Sequence, residues 1–176
     1  MSNSNSSTSE FQCVLLVGGT GHRLYPLTEK MCKHLLPVVN QPLIGYQLQM
    51  LEKSGFVDVI VVTNTLQATD ISSYIQGVYK GKIRAQIIIL PDDFMGGTAD
   101  VLRYISDELH HDFFVLSGDI ISNVFLHYLA DIHRSKNASL TMLLAEQNRS
   151  KQQSKTDDKI TRCYVGISTD EQIVLY

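Results

Sequence analysis

Five short apolar segments alternate with longer amphipathic segments along this chain, and this alternation restricts the fold more than any other feature of the sequence. The apolar segments are rich in Val, Ile and Leu and nearly continuous, as in strands that are buried on both faces. They lie at residues 11–17, 57–62, 85–90, 113–116 and 139–144. Strands of this kind need cover on both faces, so the pattern predicts a mainly parallel sheet.

Helix-length segments separate these strands. Their apolar residues recur three or four positions apart, which is the period of a helix packed on a core. The four sets are Leu43, Tyr46, Leu48 and Leu51; Ile71, Tyr74, Ile75 and Val78; Val101, Leu102 and Ile105; and Phe125, Leu126, Leu129 and Ile132. Alternating strands and helices predict an α/β fold in which helices sandwich the sheet.

The two ends of the sequence differ from this pattern. Residues 1–10 are rich in Ser and Asn, which predicts a disordered tail before a single domain at residues 11–176. A polar stretch at 147–159 predicts a loop or an insertion, and two short apolar runs flanking a Thr-Asp-Glu turn predict a hairpin near the end. Because the sequence stops within an apolar strand, we expect that the domain is truncated at its C-terminal end.

Composition excludes several classes of protein. The net charge of −3 predicts no direct nucleic-acid binding, and no apolar run is long enough for a membrane-spanning helix. The cysteines Cys13, Cys32 and Cys163 are odd in number and widely spaced, which argues against a disulfide framework or a zinc site. With no secretory signal at the N-terminus, we expect a protein of the cytosol.

A glycine-rich loop directly follows the first predicted strand, with Gly18, Gly19 and Gly21 leading into His22 and Arg23. Glycines allow close approach of the backbone, successive free amides form an anion site, and a guanidinium binds phosphate oxygens. The loop lacks the Gly-Lys-Ser/Thr of a Walker loop and the third glycine of a dinucleotide fingerprint. On these residues alone, a phosphate site and a simple glycine-rich turn both remain open.

Three motifs follow the loop: RLYPLT at 23–28, KHLLPV at 33–38 and NQPLI at 40–44. Together with the loop they resemble the signature of the sugar-phosphate nucleotidyltransferases. The resemblance implies a Rossmann-like nucleotidyltransferase domain in which the loop binds a nucleoside triphosphate. A sugar 1-phosphate then attacks the α-phosphate and pyrophosphate leaves. Such chemistry depends mainly on positioning and electrostatics.

The resemblance assigns roles to individual residues. The three loop glycines, His22 and Arg23 would bind the nucleotide with Lys33, and Arg23 and Lys33 would be the catalytic residues of an active enzyme. Two positions depart from the family pattern. Cys32 stands where the family usually has Pro, and His22 where it usually has Thr or Ser. Both changes weaken the case for turnover.

Two further matches lie later in the chain. The GGTA stretch at 96–99 implies that Gly97 and Thr98 pack against the nucleotide base, although Thr98 also suits the N-cap of a helix. The LSGD stretch at 116–119 implies that Asp119 holds Mg²⁺, a hard cation that prefers oxygen ligands. An Asp that caps a turn is the alternative for that residue.

One branch of the family is resembled in particular, through residues 10–12, 51–56, 59–63, 91–105 and 116–121. This branch comprises the gamma-type subunits of the multisubunit guanine-nucleotide exchange factor that acts on translation initiation factor two. The resemblance implies an epsilon-type subunit and the other subunits as partners, with initiation factor two as their common target. It also implies a role in assembly and regulation, no required cofactor, a nucleoside triphosphate with Mg²⁺ as an optional ligand, and a β-helix domain after residue 176. The alternative is a sugar-1-phosphate nucleotidyltransferase of the type that makes GDP-mannose.

Overall fold

A computed structural model describes residues 10–144, 166–167 and 173–174. The chain divides into two units, Met1–Thr141 and Met142–Tyr176, which are described separately. Most of the predicted tail and the whole predicted loop at 147–159 lie outside the described residues.

The first unit alternates strands and helices as predicted. Its strands are β1 (Gln12–Leu16), β2 (Pro37–Val38), β3 (Gln41–Pro42), β4 (Asp58–Asn64), β5 (Arg84–Leu90) and β6 (Phe113–Ser117). Its helices are α1 (Leu43–Lys53), α2 (Thr65–Ser73), α3 (Thr98–Tyr104) and α4 (Leu126–Lys136). A π-helical turn extends α2, and short 3₁₀ turns cover His22–Leu24, Lys33–Leu35 and Ser106–Glu108. Strands β2 and β3 form a small antiparallel hairpin.

Four parallel strands form the main sheet in the order β5-β4-β1-β6. Alternate residues of β1 face opposite sides, so Leu15 packs in one core and Val14 in the other. Helices α1, α2 and α4 contribute side chains to the core with Leu15, and α3 contributes to the core with Val14. The prediction of a Rossmann-like α/β fold with a mainly parallel sheet between helices is therefore confirmed.

Two local predictions were wrong. Residues 139–144 do not form a strand, because an apolar run becomes a strand only where a neighbouring strand takes its backbone hydrogen bonds. Thr98 is not the N-cap of α3, since Gly97 takes that position in an extended conformation. The Asp100 carboxylate accepts a hydrogen bond from the Gly97 amide at 2.9 Å, which satisfies the helix start without a threonine hydroxyl.

In the second unit, β7 (Gly166–Ile167) pairs antiparallel with β8 (Ile173–Val174). The predicted hairpin is confirmed for these residues, and its remaining positions lie outside the described part of the chain.

Candidate functional site

The order in which the chain adds strands to the sheet reverses at β1. The chain runs from β1 to β4 and β5 on one side and then crosses to β6 on the other. Ligands of open α/β sheets bind at such a switch point, at the carboxyl ends of the strands. The glycine loop follows β1 and Asp119 follows β6, so the fold brings both predicted segments to the same edge.

The glycine loop turns its carbonyls toward the protein. The carbonyls of Gly18, Gly19 and Gly21 each accept a hydrogen bond from a side chain. The donors are Asn64 at 2.9 Å, Gln67 at 3.0 Å and Thr28 at 3.0 Å. The amides of residues 18–23, in contrast, donate to no residue in the described ranges. Free amides along a loop of this shape suit an anion.

Lys33 lies directly against this loop. A Cβ atom at Gly19 would stand 3.1 Å from the Lys33 Nζ atom, and one at Gly21 would stand 2.9 Å from the Lys33 Cβ atom. Gly21 also has a φ of +72°, which side chains rarely adopt. These two glycines therefore make room for the lysine side chain as well as for the bend of the loop.

Lys33 and Asp119 form an ion pair with 3.0 Å between Nζ and Oδ2. The Ser117 hydroxyl donates to the other carboxylate oxygen, Oδ1, at 2.6 Å. These hydrogen bonds, first from Ser117 and then from Lys33, hold the pKa of Asp119 below its ordinary value. Both oxygens of the carboxylate are thus engaged, and the carboxylate stays charged at neutral pH.

Two buried polar side chains support the turn that carries Asp119. His34 Nδ1 lies 3.0 Å from the Gly118 carbonyl, so this nitrogen carries the proton that it donates. Gln47 Nε2 donates to the carbonyls of Ser117 and Ile120 at 3.0 and 3.1 Å. Both side chains are 1% exposed. The buried side chains of His34 and Gln47 therefore fix this turn through three of its carbonyls, those of Ser117, Gly118 and Ile120.

Burial makes His34 a source of pH-dependent stability. Burial, together with the charge of Lys33, lowers the pKa of His34 from 6.5 to about 4. Between these values the unfolded chain binds a proton that the folded chain does not. We therefore expect the free energy of unfolding to fall as the pH is lowered through this window, by up to about 1.4 kcal/mol per pH unit from this group.

Urea unfolding at a series of pH values measures this effect. The matched variant is His34→Gln, which keeps a donor for the Gly118 carbonyl and does not titrate. Its unfolding free energy should change less steeply than that of the wild type over the same pH window. Parallel profiles for the two chains would show that His34 does not contribute.

The other predicted site residues lie around this centre. His22 and Arg23 are exposed at the surface of the loop. Gly97 and Thr98 are exposed at the start of α3, after the edge strand β5, and β4 separates that strand from β1. Within the described part of the chain, no hydrogen bond joins Gly97 or Thr98 to the glycine loop. Their assignment to the nucleotide base stays a prediction.

Sequence reasoning missed the residues that support the site. Gln67 donates to the Gly19 carbonyl and accepts a hydrogen bond from the Cys32 thiol at 3.3 Å. His34 had no partner at a recognisable spacing, because its partner Gly118 is 84 positions away in sequence. The only local signal in the sequence was a histidine placed between Lys33 and an apolar run.

The metal-ligating side chains at this edge of the sheet do not by themselves form a site for a divalent cation. In the ranges that the structure describes, no group of three or more His, Cys, Asp or Glu side chains is placed to hold a metal ion. At Asp119, each carboxylate oxygen already accepts a hydrogen bond, one from an ammonium and the other from a hydroxyl. The assignment of Mg²⁺ to Asp119 therefore stays a prediction from the resemblance.

A parallel sheet with a glycine-rich loop at its switch point is the architecture typical of nucleotide-binding α/β proteins. A model of the family described as nucleotidyl transferase matches residues 12–154. The chain belongs to this family. Among the described residues, no helix is both long and apolar enough to cross a membrane.

Curated relatives place the chain more narrowly. Subunit gamma of translation initiation factor eIF2B from Dictyostelium discoideum is 31% identical over 95% of this chain and 41% of its own length. Subunit epsilon from the same organism is 32% identical over 86% of this chain and 23% of its own. A mannose-1-phosphate guanyltransferase from Candida albicans is 31% identical over 74% of this chain and 36% of its own. The chain thus spans less than half the length of these relatives.

A solved structure agrees with the fold. A Bacillus anthracis protein assigned as a glucose-1-phosphate thymidylyltransferase superposes with a TM-score of 0.64 at 28% identity, over 72% of this chain and 51% of that one. The predicted resemblance to the gamma-type subunits and to the nucleotidyltransferases is confirmed by these comparisons.

Proposed function

We propose that this chain is the nucleotidyltransferase-like domain of an eIF2B subunit of the gamma type. In that role it serves the assembly and regulation of the complex that exchanges GDP for GTP on translation initiation factor two. The observation that carries the proposal is the likeness to subunit gamma, which extends over 95% of the chain. The likeness to subunit epsilon supports a multisubunit setting, with an epsilon-type subunit and the other subunits as partners.

We also propose that the glycine loop keeps a nucleotide site in this subunit. The free amides of residues 18–23, the neighbouring Lys33 ammonium and the exposed Arg23 guanidinium provide donors and positive charge for phosphate oxygens. His22, Gly97 and Thr98 complete the proposed contacts. In this site the nucleotide regulates the subunit and is not turned over.

Affinity capture of the tagged full-length protein from its own cells, followed by mass spectrometry, tests the role in the complex. We expect stoichiometric recovery of an epsilon-type subunit, with the other exchange-factor subunits and initiation factor two. The untagged parent strain is the control. Recovery of the protein alone, or only with copies of itself, would contradict the proposal.

The second candidate is a sugar-1-phosphate nucleotidyltransferase, and the likeness to mannose-1-phosphate guanyltransferase favours it. In that enzyme Arg23 and Lys33 would act on the phosphates and Asp119 would hold Mg²⁺. Pyrophosphate release from GTP, mannose 1-phosphate and Mg²⁺ by the full-length protein measures this activity. We expect no release above that of a Lys33→Ala variant. Turnover that Lys33→Ala abolishes and Lys30→Ala retains would establish the enzyme instead.

A further inference from the structure

We propose that the Asp119 carboxylate competes with a phosphate group for the Lys33 ammonium, and that the glycine loop binds this phosphate group without a divalent cation. The inference rests on the proposed nucleotide site and specifies how that site is controlled. It does not depend on assembly with partner subunits.

The carboxylate of Asp119 is occupied by donors of this chain. Lys33 Nζ stands 3.0 Å from Oδ2, and the Ser117 hydroxyl stands 2.6 Å from Oδ1. A divalent cation at these oxygens would stand close to the Lys33 ammonium and would be repelled by it. The positive charge of Lys33 already balances the negative charge of Asp119, so the carboxylate needs no metal ion for neutralisation.

Lys33 is the fixed member of the pair. Its side chain is 17% exposed and runs past Gly19 and Gly21, where no Cβ atom fills the space. The side chain of Asp119 is 53% exposed, so water can replace its hydrogen bonds if the carboxylate turns toward solvent. When an anion arrives, the carboxylate is thus the group that moves away, and the ammonium stays beside the free amides of the loop.

A phosphate group and the Asp119 carboxylate would both bind the Lys33 ammonium. Both are anions that accept charge-assisted hydrogen bonds, and two anions on one lysine would repel each other. A bound nucleotide therefore opens the Lys33–Asp119 ion pair. This competition sets the affinity of the site for phosphate. A weaker ion pair between Asp119 and Lys33 would raise that affinity, because less free energy is needed to open the pair.

Titration of the full-length protein with N-methylanthraniloyl-GTP, in excess Mg²⁺ and in excess EDTA, tests this inference. For the wild type we expect dissociation constants that agree within about twofold between the two conditions. Asp119→Asn removes the competing charge, so binding should tighten by about threefold or more. Lys33→Met should weaken binding by about tenfold or more, because it removes a charged donor.

The matched control is Lys30→Met, which removes an exposed lysine three positions earlier and should leave binding unchanged. A tighter complex in Asp119→Asn cannot arise from misfolding, which keeps the test valid if other variants fold poorly. Two results would overturn the inference and leave nucleotide binding intact: loss of wild-type binding in EDTA, and weaker binding of Asp119→Asn in Mg²⁺. If the wild type binds no nucleotide in either condition, both the inference and the proposed nucleotide site are overturned.

Discussion

Replacement of Gly118 by alanine is expected to destabilise the chain by about 3 kcal/mol, because the added methyl group has no space. Its Cβ atom would stand 2.5 Å from the Leu16 carbonyl oxygen and 2.6 Å from His34 Cε1. The Leu16 carbonyl cannot withdraw easily, since it accepts a hydrogen bond from the Gly118 amide itself at 2.7 Å. The methyl group would therefore force β1 and the Asp119 turn apart.

Urea unfolding followed by circular dichroism measures this change as a lower midpoint. Gly77→Ala is the matched control, because nothing lies within 4 Å of a Cβ atom at that position. It should shift the free energy of unfolding by less than about 1 kcal/mol. Equal stability of the two variants would mean that the Gly118 turn relaxes without cost.

Leu15→Ala is expected to cost about 3 to 4 kcal/mol, since it removes a fully buried side chain from the centre of β1. Leu15 lies between β4 and β6 and packs in the core that α1, α2 and α4 share. A cavity at this position loosens the contact of one central strand with three helices. The surrounding structure can collapse onto it only in part.

The control for this variant is Leu66→Ala on the surface of α2, where the leucine is 84% exposed. Its effect on the free energy of unfolding should stay within about 0.5 kcal/mol. The two variants remove the same atoms, so the difference in their urea midpoints isolates burial. A difference of less than about 1 kcal/mol would contradict the central place of Leu15 in the core.

The architecture could be predicted from the sequence because each main strand and helix carries its own local signal. The apolar run of β4, for example, is buried on both faces, and Leu48 and Leu51 of the predicted face of α1 are fully buried. The other two residues predicted for that face, Leu43 and Tyr46, are only half-buried, and Ile44 packs in the core instead. Local signals failed where the outcome depends on a distant partner. Residues 139–144 have the composition of a strand, but composition does not supply a neighbour for their backbone hydrogen bonds.

The site was predictable only in its outline. The glycine loop and Asp119 could be placed at one edge, because the carboxyl ends of parallel strands meet there. The ion pair between Lys33 and Asp119 joins residues 86 positions apart, and no spacing rule foretells such a contact. The same holds for His34 beneath Gly118. Polar residues that support a site contact it because they are close in three dimensions, and such contacts produce no recognisable spacing in the sequence.

The side chains of Asn64 and Gln67 give the glycine loop a mechanical link to the first turn of α2. Asn64 donates to the Gly18 carbonyl and accepts a hydrogen bond from the amide of Gln67, whose own side chain donates to the Gly19 carbonyl. Lifting the loop from the sheet would break both of these side-chain hydrogen bonds to its carbonyls, one of which fixes Asn64, the N-cap of α2. We therefore expect the loop and the first turn of α2 to open together, at a higher free energy than a loop held at its ends alone.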